Sequence, residues 1–269
     1  MTNQNSNNPY QPPVANVEPP MTPVGGDFID GGRTVPAGNA ANWLGEAWRL
    51  FAKSPGIWIA NMLILFVLAM MVNFVPILGG LASSVLTPVI IGGLMLGCRE
   101  LDGGGQLKIE HLFAGFKTHA GPLMLLGLLV LVAIVAVIIV LTILAMLFLG
   151  AGFFSSFSGG ESAILNFIGQ YGLKFLLIML LLYMALIIPV SMAYWFAPAL
   201  IVLHGIEPLA AMKQSFKGCL RNFLPFLLYG ILLLILMIIG MIPLLLGLLV
   251  VVPMMYASMY TAYKDIYLR

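Results

Sequence analysis

Six apolar runs, each near bilayer-spanning length, constrain this chain more than any other feature: about 57–76, 80–98, 122–149, 172–203, 223–241 and 244–263. About 20 apolar residues in a helix cross the hydrocarbon of a membrane, and a helix satisfies its own backbone hydrogen bonds there. The chain therefore reads as an all-α membrane protein with six transmembrane helices. Composition agrees, with 61% hydrophobic and 8% charged residues among 269. A soluble domain carries about 25% charged residues and could not cover its surface with so few.

Charge distribution gives a direction. Arg33, Arg49 and Lys53 precede the first run; Arg99, Lys108 and Lys117 lie between the second and third. Lys213, Lys217 and Arg221 lie between the fourth and fifth, and Lys264 and Arg269 follow the sixth. Six crossings put these on one side, leaving only Lys174 at the other end of the fourth run. Basic residues stay on the cytoplasmic side, so both termini are expected in the cytoplasm. The opposite side carries two short turns and a longer loop near 150–171, with Glu161 its only acid. A short surface helix over 161–169 suits that loop, and its phenylalanines suit the membrane interface.

A phrase recurs three times: "RLFAKSPGIWIANMLILFVL", "FAGFKTHAGPLMLLGLLVLV" and "QSFKGCLRNFLPFLLYGILLL". Each ends a short amphipathic stretch and enters an apolar run. In the first, Trp43, Leu44, Ala47, Trp48, Leu50 and Phe51 form one stripe. In the second, Ile109, Leu112, Phe113 and Phe116 share a face, and in the third Met212, Phe216 and Leu220 do. Returning runs each carry an early proline. Phe51 to Pro88 and Phe216 to Pro253 are both 37 residues, and Phe116 to Pro189 is 73. The expected architecture is three parallel units, about 41–99, 107–204 and 206–264. Each joins an interfacial amphipathic helix to a transmembrane hairpin. Residues 37–269 form this domain, and 1–36, rich in Asn, Pro and Gly, read as a disordered cytoplasmic tail, either solvated or docking a partner.

Chemistry is sparse. The runs contain no Asp, Glu, His or Arg, although coupled transporters keep ionisable groups at membrane depth. Asn61, Ser83, Thr87, Ser258 and similar residues are expected to bond between helices. Gly93 and Gly97 allow a close approach, either within the chain or to a second copy. Candidates for catalysis are confined to loops: Glu100, Asp102, Glu110, His111, His119, His204 and Glu207. No nucleophile–base pair or metal-ligand spacing emerges among them. No enzyme activity, catalytic residue, metal or cofactor is expected. Cys98 and Cys219 have no CxxC partner and read as free thiols. A net charge of +2 gives no reason to expect nucleic acid as a partner.

The pieces "GGRTVPAGNAANWLGEAWRLF", "LTPVIIGGLMLGCREL", "HLFAGFK" and "WFAPALIVLHGIEPLAAMKQSFKGCLRNFLPFLLYG" together resemble an uncharacterised family of proteobacterial six-helix integral membrane proteins. The likeness covers roughly 31–269. It is distantly similar to the membrane domain of some glycerophosphodiester phosphodiesterases, whose catalytic domain this chain lacks. The resemblance implies a bacterial cell inner membrane location, and it assigns no site residue.

Two functions are open. In one, a non-enzymatic protein organises lipids or partner proteins at the cytoplasmic face through Arg49, Lys53, Lys108, Lys117, Lys213, Lys217 and Arg221. Its expected partners are membrane lipids, a second copy or another membrane protein. In the other, a transporter or channel carries a small apolar or lipid-like solute past Pro189, Ser191, Tyr194, Trp195 and Pro198.

Overall fold

The computed structural model describes residues 26–269, and within them all side chains except those at 76–77, 148, 151–155, 157–158, 164 and 167. Most of the expected tail, 1–25, lies outside the described residues. Ten α-helices and one 3-10 helix follow one another. The first unit comprises α1 (Asn39–Lys53), α2 (Pro55–Asn73) and α3 (Pro76–Asp102). Next come the 3-10 helix Ile109–Phe113, α4 (Ala114–Thr118), α5 (Ala120–Ser158), α6 (Glu161–Trp195) and α7 (Ala197–His204). The chain closes with α8 (Pro208–Arg221), α9 (Phe223–Met241) and α10 (Leu248–Tyr267). Pro55, Pro76, Pro198 and Pro208 each sit in a first helical turn, where a missing N–H costs nothing and the fixed φ suits the helix.

Among the described residues, five helices are long and apolar enough to cross a membrane, where six were expected: Pro55–Asn73, Leu78–Asp102, Ala120–Leu147, Ile168–His204 and Phe223–Met241. The sixth run is corrected by its surroundings. It becomes α10 after a tight turn with Leu244 and Leu245 at positive φ, 51° and 69°. Residues 257–263 of α10 are buried without interruption, so this helix meets protein all round and need not be apolar all round. It accordingly carries Ser258, Thr261 and three tyrosines along its last three turns. α10 also returns to the level where α9 starts. Asn222, at the foot of α9, bonds the backbone of Arg33 and Val35, and Arg33 bonds Asp265 near the end of α10.

The expected outer loop at 150–171 is mostly helix. α5 runs to Ser158 with a single break at Gly150 (φ 53°), and after Gly160 (φ 82°) α6 starts at Glu161 and runs on unbroken. The separate surface helix over 161–169 is thus the first turns of α6. Its other end does break: the α6–α7 junction falls at Phe196, and Ser215 of α8 fills the gap. Phe196 N–H donates to Ser215 Oγ (2.9 Å), and that hydroxyl donates to Met192 O (2.6 Å). One serine thereby links the Met192 C=O and the Phe196 N–H across the joint.

Glycines of α3 decide what packs there. A Cβ on Gly93 would lie 2.4 Å from His111 O, and one on Gly97 would lie 2.6 Å from the Leu107 side chain. Both glycines face the chain's own 107–112 segment, so the close approach is internal.

Residues 26–36, expected as part of the tail, are held against the C-terminal end. Ile29 N–H donates to Tyr267 O (2.8 Å), Arg33 N–H to Ile266 O (2.8 Å) and Val35 N–H to Asn222 Oδ1 (2.8 Å). Phe28 pairs with Leu268 in an antiparallel bridge. Both described ends therefore lie together, at the end of the bundle that also holds α1, α7 and α8. Its core includes Trp43, Trp58, Leu94, Leu112, Phe196 and Tyr260, all essentially buried.

Candidate functional site

The polar groups of this packed end are mostly spent on one another. Asp265 accepts from Asn39 Nδ2 (2.8 Å), Trp43 Nε1 (2.8 Å) and Arg33 (3.1 Å). Asp102, at the end of α3, accepts from Lys264 Nζ (2.5 Å) and Tyr260 OH (3.2 Å). A cavity of about 400 Å³ lies beside them, bordered also by Glu46, which pairs with Arg49 at 2.6 Å. Each carboxylate around that cavity is engaged. The arrangement fastens α1, α3, α10 and the 26–36 segment together.

Among the other loop candidates, His204 Nε2 meets the Tyr263 hydroxyl, whereas His119 Nδ1 is buried with no partner among the described residues. His111 Nδ1 accepts the Lys108 backbone N–H (3.1 Å), closing the first turn of the 3-10 helix. Burial holds the His111 pKa below its ordinary 6.5, opposed by Glu100 and Glu110 and reinforced by Lys108. Burial pushes the Cys219 thiol up to about 12, which keeps it protonated and unreactive. Among the described residues, no group of three or more His, Cys, Asp or Glu is placed to hold a metal.

The seven expected contact cations divide by what they already hold. Arg221 donates to Gly31 O and Gly32 O (3.1 and 2.7 Å), so it anchors the N-terminal segment. Lys53 gives one bond to Leu101 O (2.7 Å), and Arg49 is paired with Glu46. Lys108, Lys117, Lys213 and Lys217 are exposed. Exposed apolar residues accompany these cations. Trp48 precedes Arg49, Phe113 and Phe116 precede Lys117, and Leu209 and Leu220 flank Lys213 and Lys217. On α8 the opposite face, Ala211, Ser215, Gly218 and Cys219, is buried. Gly218 admits Tyr267, whose hydroxyl would lie 2.2 Å from a Cβ there.

Three side cavities open between helices. One of about 510 Å³ lies at the α1–α2 joint and takes in Lys53, Ser54, Gln106 and Lys108. One of about 340 Å³ is an apolar groove between α2 and α3, closed at one end by Phe113 and Phe116. The third, about 220 Å³, lies between α6, α8 and α9. Of the residues expected along a solute path, Ser191 and Trp195 line this third cavity, with Ile188 and Met192 on the same helical face. Pro189 is exposed elsewhere on α6, Tyr194 packs against the core, and Pro198 is buried in α7. Residues one position off the 188–191–192–195 stripe point about 100° away, which accounts for Pro189 and Tyr194. The Trp195 indole N–H is buried with no partner among the described residues. Sequence reasoning missed Cys219, Phe223 and Phe226 as the opposite wall; the 24 or more residues separating them from α6 leave no local signal.

No family model matches this chain, and no solved structure matches it. A probable inner membrane protein of Burkholderia thailandensis is 28% identical over 200 residues, covering 71% of this chain and 70% of the relative. With five helices of spanning length and apolar outer faces, the chain is a multi-pass integral membrane protein, and its similarity is to a protein of the inner membrane.

Proposed function

We propose that this protein is a non-enzymatic inner-membrane protein that gathers anionic lipids at the packed, cytoplasmic end of its bundle. One observation carries the reading: three separate segments at that end set exposed lysine or arginine beside exposed aromatic or leucine side chains. Such side chains bury apolar surface at the acyl boundary while their charges meet headgroup phosphates. Each cation near an anionic leaflet contributes about 1 kcal/mol. The placement of both described ends together supports a cytoplasmic location for both, given that basic residues concentrate there. Element order supports the three-unit reading, since an amphipathic segment precedes a long hairpin three times.

Lys213 and Lys217 are the residues to reverse, because Arg221 is tied into the fold. In vesicles holding spin-labelled phosphatidylglycerol, wild type should immobilise more of that lipid than of a phosphatidylcholine label. Lys213→Glu with Lys217→Glu should remove most of the difference while leaving the helix content unchanged. Equal selectivity in wild type and variant would reject the reading.

A second reading rests on the cavity between α6 and α9. Its wall is apolar apart from Ser191 and Cys219, which suits a small apolar solute, and its lining residue Trp195 keeps an indole N–H buried without a partner among the described residues. Trp195→Phe would weaken uptake or binding of such a solute if this cavity is its path.

A further inference from the structure

The geometry points to a discrete site for one anionic glycerophospholipid on the side where α2 faces the 109–116 segment. This deepens the lipid-gathering reading and rests on it only for the membrane setting. Two of the side cavities share α2 and the 109–116 segment, although α3 forms most of the upper one's second wall. α2 gives Ile57 to the lower and Leu65, Leu68 and Val72 to the upper. The opposing segment gives Ile109 to the lower and Phe113 and Phe116 to the upper.

The two differ in chemistry in the order that a phospholipid requires. The lower cavity has two lysines, Lys53 and Lys108, against one acid, Glu110, with Ser54 and Gln106 as neutral hydrogen-bonding groups. Lys53 spends one N–H on Leu101 O, leaving two for a phosphate. The upper cavity is lined mainly by leucine, isoleucine, valine and phenylalanine, with Ala69 and Tyr256; of its two hydroxyls, Thr87 Oγ1 donates to Ser83 O (2.6 Å) and Ser83 Oγ accepts from Asn73 Nδ2 of α2 (3.2 Å). A free phosphate would use only the lower part; a lipid fills both.

Length fits as well. Ile57 to Val72 is a rise of about 22 Å at 1.5 Å per residue, against about 20–22 Å for one leaflet with its headgroups. Along α2 between the two cavities lies Asn61, on the buried face with Trp58 and Met62 and in the lining of neither cavity. It is fully buried, and neither its amide nitrogen nor its oxygen has a partner among the described residues. One excess positive charge favours an anionic phosphodiester over a zwitterionic headgroup, because a zwitterion brings its own cation to a site that already has two.

The test uses the full chain in nanodiscs of equal phosphatidylglycerol and phosphatidylethanolamine, with native mass spectrometry of the released protein. Wild type should retain a single phosphatidylglycerol. Lys53→Gln with Lys108→Gln, which removes the phosphate contacts, should lower its occupancy by about tenfold. Ala69→Trp should do the same by filling the groove from an exposed, lipid-facing position. Lys213→Gln with Lys217→Gln should leave the bound lipid in place.

Retention unchanged in both the lysine and the Ala69 variants, or phosphatidylethanolamine retained as often, would overturn the site. Loss confined to the Lys213 and Lys217 variant would also overturn it while leaving the broader lipid-gathering reading standing. A retained lipid governed by Lys53, Lys108 and Ala69, with no selectivity at Lys213 and Lys217, would uphold the site and reject the broader reading.

Discussion

The two ends of this bundle are built differently. At the packed end, α10 is buried on every side through residues 257–263, and Asp265, Asp102, Ser215 and Asn222 are each held by two or more bonds. Along α6, by contrast, none of the most apolar spanning window is buried, and along α5 only 6% is. Leu173, Leu181 and Leu147 are as exposed as surface residues. In water such a surface would drive aggregation. In lipid it costs nothing, because acyl chains are as apolar as leucine. Specificity therefore resides in polar fastenings at one end, and the remainder needs only to be long and apolar.

That contrast can be broken most strongly at Asp265. Asp265→Ala strands the Trp43 and Asn39 donors and the Arg33 charge, and should cost on the order of 3 kcal/mol. Reversible unfolding in mixed micelles would measure it, with Leu181→Ala expected within about 0.5 kcal/mol of wild type. A similar cost at both positions would erase the distinction. Next in size is Gly93→Ala. Its Cβ would lie 2.4 Å from a backbone carbonyl that cannot swing aside, and overpacking costs about 1–3 kcal/mol. Asn61→Leu should act in the opposite sense, stabilising lipid-free protein by about 1–2 kcal/mol through removal of a buried amide with no partners. The same unfolding assay reads both.

The smallest effect is a pH dependence. Burial lowers the His111 pKa from 6.5, so the neutral ring is preferred in the fold. Its stabilising contribution is complete above the unfolded value and is lost as pH falls from about 6.5 through the folded value. Protonation also removes the Nδ1 acceptor for the Lys108 N–H. Hydrogen exchange at Lys108–Leu112, corrected for intrinsic rates, should speed up below pH 6.5 in wild type and not in His111→Asn.

Much of this was legible in the sequence, and the exceptions have physical reasons. Helices α2, α3, α5, α6 and α9 announce themselves by unbroken apolar length. The sixth run does form a helix, α10, but its tyrosines and Thr261 register burial in protein, a distinction that run length does not carry. The 150–171 segment reads as a loop between two apolar runs, yet it is mostly helix, with positive φ at Gly150 and Gly160. At the candidate site, the cations were visible, but their commitments were not. Arg221 reaches across 189 residues to Gly32, and Arg33 across 232 to Asp265. Pairings so distant leave no periodicity to read. The side cavities were invisible for the same reason, since each is walled by helices distant in the chain.

The proposed selection of anionic lipid by the packed end rests above all on Lys213, Lys217 and their neighbours. The direct measurement is the phosphatidylglycerol fraction in polymer nanodiscs cut around the protein from its own membrane, set against the bulk membrane. Wild type should be enriched, and Lys213→Glu with Lys217→Glu should return to the bulk value while remaining folded. Bulk composition around wild type, or enrichment unchanged in the variant, would contradict it.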